Sequence, residues 1–121
     1  MPIGILLIEN NDASRRNIAA YLESFGYSVT DTGDGEEAIK LIQDIKYDVV
    51  ITDLQLECMV NGIDILTRHR KASPEARSIL MTGFGSEDAK AQAASLNAIY
   101  LEKPIQLGTL INLLDTAPSS M

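Results

Sequence analysis

The chain has 121 residues, 45% hydrophobic and 22% charged, with 17 acids against 10 bases and a net charge of −7. That length fits one domain, the acidic balance argues against a nucleic-acid surface, which needs a concentrated basic patch, and no apolar stretch approaches the ~18–20 residues of a membrane span. The single cysteine, Cys58, excludes an internal disulfide framework and a multi-cysteine zinc site. The opening Met1-Pro2-Ile3-Gly4 lacks the basic region of a secretory signal, so the expected compartment is the cytoplasm.

In chain order, residues 3–8 form an apolar run of strand length that ends at Glu9-Asn10. A first helix follows with Asp12 as its N-cap, carries Ile18, Leu22 and Phe25 at spacings of four and three, and stops at Gly26. Residues 27–30 read as the second strand. Asp34 with Glu37 forms a capping-box variant before a helix whose Ala38, Leu41, Ile42 and Ile45 make one stripe. The third apolar run, 47–53, ends in Asp53. Ile63, Ile65 and Leu66 after Gly62 begin a third helix, which breaks near Ser73-Pro74 because the residue before proline avoids helical dihedrals.

The fourth run, 79–81, leads to Thr82, and Ser86 with Glu87 and Asp88 suits the start of a fourth helix. Asn97 supplies a left-handed cap. The fifth run, 98–101, leads to Lys103-Pro104, and Leu107, Leu110, Ile111 and Leu114 give the last helix its buried face, with Gly108 weakening its first turns. The domain is expected to span 1–116, with 117–121 as a terminal tail or the start of a linker.

Strand-length runs alternating with segments of helical period imply an α/β fold, (βα)5, with a five-stranded parallel sheet covered on both faces. Such a sheet binds its ligand beyond the carboxyl ends of its strands. Asp53, Glu9-Asn10, Thr82 and Lys103 would all lie there. A carboxylate, an acid–amide pair, a hydroxyl and a cation at one edge suit phosphoryl chemistry: a carboxylate attacks phosphorus, while a cation held by oxygens, an ammonium and a hydroxyl stabilise the phosphoryl oxygens. Alone, Asp53 would read as a helix cap or a solvated side chain.

Four segments in this order resemble the receiver domain of two-component response regulators: Ile5-Leu6-Leu7-Ile8-Glu9-Asn10, Asp48-Val49-Val50-Ile51-Thr52-Asp53-Leu54, Leu80-Met81-Thr82-Gly83 and Tyr100-Leu101-Glu102-Lys103-Pro104. The resemblance implies a doubly wound, flavodoxin-like sheet of strand order 2-1-3-4-5. It implies that Asp53 accepts phosphate from a histidine kinase or phosphotransfer protein, and that Thr82 and Lys103 bind the phosphoryl oxygens. Magnesium would be held by Glu9, Asn10, Asp53 and the backbone carbonyl of Gln55. Tyr100 matches the family's switch aromatic, Thr82 its partner hydroxyl, and Lys103-Pro104 its cis peptide. The expected output is a conformational change on the surface of the fourth helix, fifth strand and fifth helix, read by a downstream effector. A phosphorylation-linked homodimer is left open, and no enzyme activity is implied beyond self-phosphorylation and dephosphorylation.

Two features depart from the family. Asn10 stands where receivers usually carry a second acid, leaving two carboxylates, Glu9 and Asp53, instead of three. At an effective dielectric of ~20, a unit charge ~4 Å away contributes ~4 kcal/mol per unit of metal charge before desolvation, so weaker magnesium binding and slower or more donor-dependent phosphorylation are expected. The loop from Asp53 to Gly62 also carries one residue more than is usual. These departures motivate an alternative, a pseudo-receiver that works by unphosphorylated contact. A flavodoxin-like cofactor binder or small phosphatase shares the architecture, but Glu9-Asn10-Asn11-Asp12 is no phosphate loop, and Asp53-Leu54-Gln55 lacks the second aspartate of a haloacid-dehalogenase-type phosphatase. Gly83-Phe84-Gly85-Ser86 is not a dinucleotide-binding turn, since Asp88 stands at the third glycine. His69, the only histidine, reads as a satisfied, partly buried side chain.

Overall fold

The computed structural model describes residues 3–56, 60–83, 85 and 87–115. Runs of aliphatic residues with no polar face fit only strands buried on both sides. The chain uses them so: β1 (Gly4–Ile8), β3 (Val49–Asp53) and β4 (Arg77–Thr82) are almost wholly buried, while β2 (Ser28–Thr32) and β5 (Ile99–Glu102) are more open. All pairings are parallel, in the order β2-β1-β3-β4-β5. Helices α1 (Asp12–Ser24), α2 (Gly35–Asp44), α3 (Gly62–Ala72) and α4 (Glu87–Ser95) fill the crossovers, and α5 (Leu107–Asp115) follows β5.

Period-two alternation along the strands divides the core. Ile5, Leu7, Val49, Ile51, Ile79 and Met81 pack under α1 and α5 through Ile18, Leu22, Leu110 and Leu114. Leu6, Ile8, Val50 and Leu80 pack under α2, α3 and α4 through Ala38, Ile42, Ile65, Leu66 and Ala93. At about 1.5–3 kcal/mol per buried aliphatic side chain, these two layers are the main favourable contribution to the fold. Helix α4 contributes least, because its buried residues are only Ala89 and Ala93.

Several local expectations are corrected. Asn11, not Asp12, caps α1: its side chain accepts from Ser14 N at 2.8 Å, and Asp12 lies in the first turn, paired with Arg15 at 2.9 Å. The Asn11 N–H is held by Glu9 Oε2 at 3.0 Å, which places the cap one residue earlier. Phe25 is the C-cap and 54% exposed, off the apolar face, as is Ile45 at the end of α2. The Asp34–Glu37 box does not close, because Asp34 caps through Glu36 N while Glu37 accepts from Thr32 Oγ1. Strand β2 begins at Ser28 and runs to Thr32, in register with Gly4 to Ile8. His69 is fully buried, not partly. Its Nε2 lies 3.3 Å from Tyr47 O, while its Nδ1 has no hydrogen-bond partner among the described residues. The cap assigned to Ser86, the inserted-loop residues 57–59 with Cys58, and the tail 117–121 fall outside the described residues.

The Gly26 stop has φ +94°, Asn97 has φ 59°, and the Lys103–Pro104 peptide is cis. Helix α3 ends at Ala72 with Ser73 as its cap, as the proline requires.

Candidate functional site

Parallel strands deliver their carboxyl ends to one edge, and the four predicted groups meet there. Glu9 follows β1, Asp53 ends β3 and Thr82 ends β4, and all three are buried despite being polar. Lys103 follows β5 and is fixed by its own backbone, since Lys103 N donates to Thr82 O at 2.8 Å. Its Nζ then donates to both acids, to Glu9 Oε1 at 2.6 Å and to Asp53 Oδ2 at 2.8 Å. Gln55 N donates to Asp53 Oδ1 at 3.4 Å. Asn10 is half-buried beside Glu9, and Gln55 is exposed.

The electrostatics are those of two buried acids sharing the Lys103 ammonium. Burial pushes the Asp53 carboxyl above its ordinary value, and the Glu9 carboxylate adds to that push. The Lys103 hydrogen bond and charge, with the Gln55 N–H, pull the other way without prevailing. For Lys103, burial lowers the pKa, but the hydrogen bonds and charges of Asp53 and Glu9 outweigh it and the net shift is upward.

The backbone that follows Asp53 is held as well. Leu54 N donates to Met81 O at 2.7 Å, and Gly62 N donates to Leu54 O at 2.9 Å, so α3 begins against the end of β3. Asn61 and Asp64 close a reciprocal capping box at that point. The spacing Asn61-x-x-Asp64 was its available signal. Sequence reasoning also passed over Arg15, which sits four residues after Asn11 and joins Glu9 and Asp12 nearby to Asp31 on β2.

Tyr100 is half-buried on β5, with Lys90 Nζ 5.9 Å from its ring centroid. Its hydroxyl lies beside the Gly85 backbone, where a Cβ would come within 2.7 Å. A cavity of about 590 Å³ lies at the opposite edge between Tyr27, Tyr47, Asp48, Arg77 and Leu114, away from the clustered groups. Among the described residues no three acids, histidines or cysteines converge as a metal cluster, and no helix is long and apolar enough to cross a membrane.

A five-stranded doubly wound sheet with an acid, a hydroxyl and a lysine at its carboxyl edge defines a receiver-type signalling module. The family model of the response regulator receiver domain matches residues 5–115, and the chain belongs to that family. Receiver domains of two-component systems are in general signalling modules, not enzymes. The chain is 30% identical to the response regulator receiver protein CpdR of Brucella abortus, covering 89% of this chain and 90% of CpdR. It is 32% identical to the cell cycle transcriptional regulator CtrA of Caulobacter vibrioides and 32% identical to the sensor kinase CckA of Brucella abortus, over 88% of this chain in each case. It spans only 46% and 11% of those longer proteins.

Among solved structures, a CheY-like receiver domain from Methanospirillum hungatei superposes with a TM-score of 0.90 at 22% identity, over 95% of this chain and 92% of that one. A response regulator from Burkholderia pseudomallei, solved with a phosphorylated aspartic acid, a calcium ion and citrate, gives 0.85 at 29% identity over 94% and 67%.

Proposed function

We propose that this domain is a phosphorylation switch with Asp53 as its acceptor. The observation that carries the reading is the Lys103 ammonium, within hydrogen-bond reach of both Glu9 and Asp53 at the carboxyl edge. An Asp53 carboxylate oxygen attacks the phosphorus of a phosphohistidine, and the O–P bond forms as the P–N bond breaks and imidazole departs. Lys103 then turns from the free carboxylate to a phosphoryl oxygen, and the Thr82 hydroxyl takes another.

The donor set fits a hard divalent cation: two buried carboxylates, an amide oxygen at Asn10 and a main-chain carbonyl at Gln55. Such an ion, when bound, offsets charge on the phosphoryl oxygens. Glu9, Asn10, Asp53 and Gln55 are the residues that would hold it, more weakly than three acids would. The phosphorylated aspartic acid and calcium ion of the Burkholderia protein support both parts of the reading.

The output is assigned to α4, β5 and α5. Helix α4 is anchored by alanines alone, and elements with little buried apolar area shift at small cost. Tyr100 and Thr82, on adjacent strands, are the proposed switch pair, Leu80 being the direct partner of Tyr100 and Glu102 of Thr82. The donor is a sensor histidine kinase or phosphotransfer protein in the cytoplasm, and the recipient is an effector protein or domain that binds the altered face, with homodimerisation on that face as one form of output.

Incubation with acetyl phosphate and magnesium, followed by intact mass, is expected to give one phosphoryl adduct that Asp53→Asn abolishes. Absence of adduct where a control receiver labels would favour the pseudo-receiver reading, which draws on Asn10 and on the prior engagement of both Glu9 oxygens.

A further inference from the structure

Both main-chain polar groups of Glu9 are held, one from β2 and one from α1. Its N–H donates to Thr32 O at 3.1 Å, and its carbonyl accepts from Arg15 Nη1 at 3.0 Å. Arg15 is itself fixed in three directions, because its Nε donates to Asp31 Oδ2 and its Nη2 pairs with Asp12 Oδ1, each at 2.9 Å. The side chain is only 14% exposed. Gly33 closes the fourth side: a Cβ there would lie 2.8 Å from Arg15 Nη1, 3.5 Å from Glu9 O and 3.6 Å from the Asn10 Cα. The guanidinium thus fills the space between the end of β1, the end of β2 and the first turn of α1.

We propose that Arg15 is the positioning residue for the cation-binding half of the site. It holds the Glu9–Asn10 peptide, so that the two side chains on either side of that peptide share one fixed origin facing Asp53. A guanidinium suits this task because its planar fork serves three acceptors at once, which an ammonium on a flexible stem does not reproduce. The inference rests on the reading of Asp53 as a phosphoacceptor served by a divalent cation.

The sign of the effect separates positioning from simple charge. A positive group near a cation site repels the cation, so if Arg15 acted only through its charge, removing it would tighten magnesium binding. A positioning role demands the reverse, since groups that orient ligands from behind typically cost 10–100-fold in metal affinity when lost. Magnesium affinity is measured by calorimetry on the wild-type chain, Arg15→Ala, Arg15→Lys and Asp31→Asn, with thermal melts on the same samples.

The expected result is weakening of about tenfold or more in Arg15→Ala, nearly as much in Arg15→Lys, and a smaller loss in Asp31→Asn. In addition, Asn10→Asp should tighten binding in the wild-type background and fail to do so with Arg15→Ala. Unchanged or tighter binding in a folded Arg15→Ala overturns the proposal, as does full rescue by lysine. Should Arg15→Ala fail to fold, Asp31→Asn and Arg15→Lys decide by the same criteria. A wild-type chain that neither binds magnesium nor takes label from acetyl phosphate overturns the underlying reading instead.

Discussion

Gly62 stands so close to Asp53 that a Cβ at residue 62 would lie 2.3 Å from the Asp53 carbonyl oxygen and 2.9 Å from the Leu54 Cα. The start of α3 therefore rests directly on the backbone that presents Asp53, the proposed acceptor. Gly62→Ala must push that backbone or the helix aside. It is expected to cost about 1–3 kcal/mol, the usual range for overpacking, and to slow Asp53 labelling. Urea unfolding and an acetyl phosphate time course check the two parts. Wild-type stability in the variant would show that the contact relaxes freely.

Asp53→Asn should remove phosphorylation without destabilising the fold. The Asp53 carboxyl is raised above its ordinary 3.8, chiefly by burial. Between that value and its folded pKa the native state holds more protons than the unfolded state, so stability falls as pH rises and the penalty is complete above the folded pKa. The neutral amide avoids it. At pH 7 the variant is expected to melt at the same temperature or a few degrees higher, at about 4 °C per kcal/mol. A large drop on calorimetry would mean the Lys103 bond outweighs the burial cost.

Lys103→Met leaves Glu9 and Asp53 facing each other without the cation between them. The expected loss is about 1–3 kcal/mol, below the ~3–5 kcal/mol of fully buried pairs because the Lys103 side chain is 28% exposed. Its pKa is raised, so its contribution is present in full below 10.5 and is lost as pH rises through the folded value. Denaturant midpoints against pH should show a constant gap between wild type and variant at neutral pH that narrows only in strong alkali.

Asn10→Asp restores the third acid. One added charge ~4 Å from a divalent ion is worth several kcal/mol before desolvation, so magnesium should bind about tenfold tighter or better, with faster labelling. Without magnesium the extra carboxylate should lower the melting temperature. Opposite signs with and without the ion distinguish a metal ligand from a neutral loop position.

His69 is buried with one ring nitrogen unpartnered among the described residues, and burial lowers its pKa against the weaker effect of the Tyr47 carbonyl. Its contribution to stability is complete above 6.5 and declines as pH falls below that toward the folded pKa, with a slope of up to about 1.4 kcal/mol per pH unit. His69→Phe should flatten the stability curve between pH 7 and 5. An unchanged slope would place the acid sensitivity elsewhere.

Long apolar runs and the groups that end them were legible because burial on both faces leaves a strand no polar position. Strand order and the meeting of Glu9, Asp53, Thr82 and Lys103 followed from that alternation together with the resemblance. Exposed edges were harder to read. Ser28-Val29-Thr30-Asp31-Thr32 carries little apolar signal, and only pairing with Gly4 to Ile8 fixes its extent. Caps are hard to place where two acceptor-type residues adjoin, as at Asn11-Asp12, since the choice depends on the side-chain contact of Glu9 with Asn11 N. The Arg15 contacts to Glu9 and Asp31 and the Gly62 approach had no periodic signature, because they join residues through the fold and not along one element.

The bond from Lys103 to Glu9 joins residues 94 positions apart, and that from Lys103 to Asp53 spans 50. Lys103 follows the edge strand β5, whereas Glu9 follows β1, separated from it in the sheet by β3 and β4. The acidic pair therefore gains its cation only when the last strand has docked. A nascent or clipped chain ending before β5 keeps Glu9 and Asp53 but lacks the ammonium, so under the proposed reading the capacity to be switched is tied to completion of the whole fold.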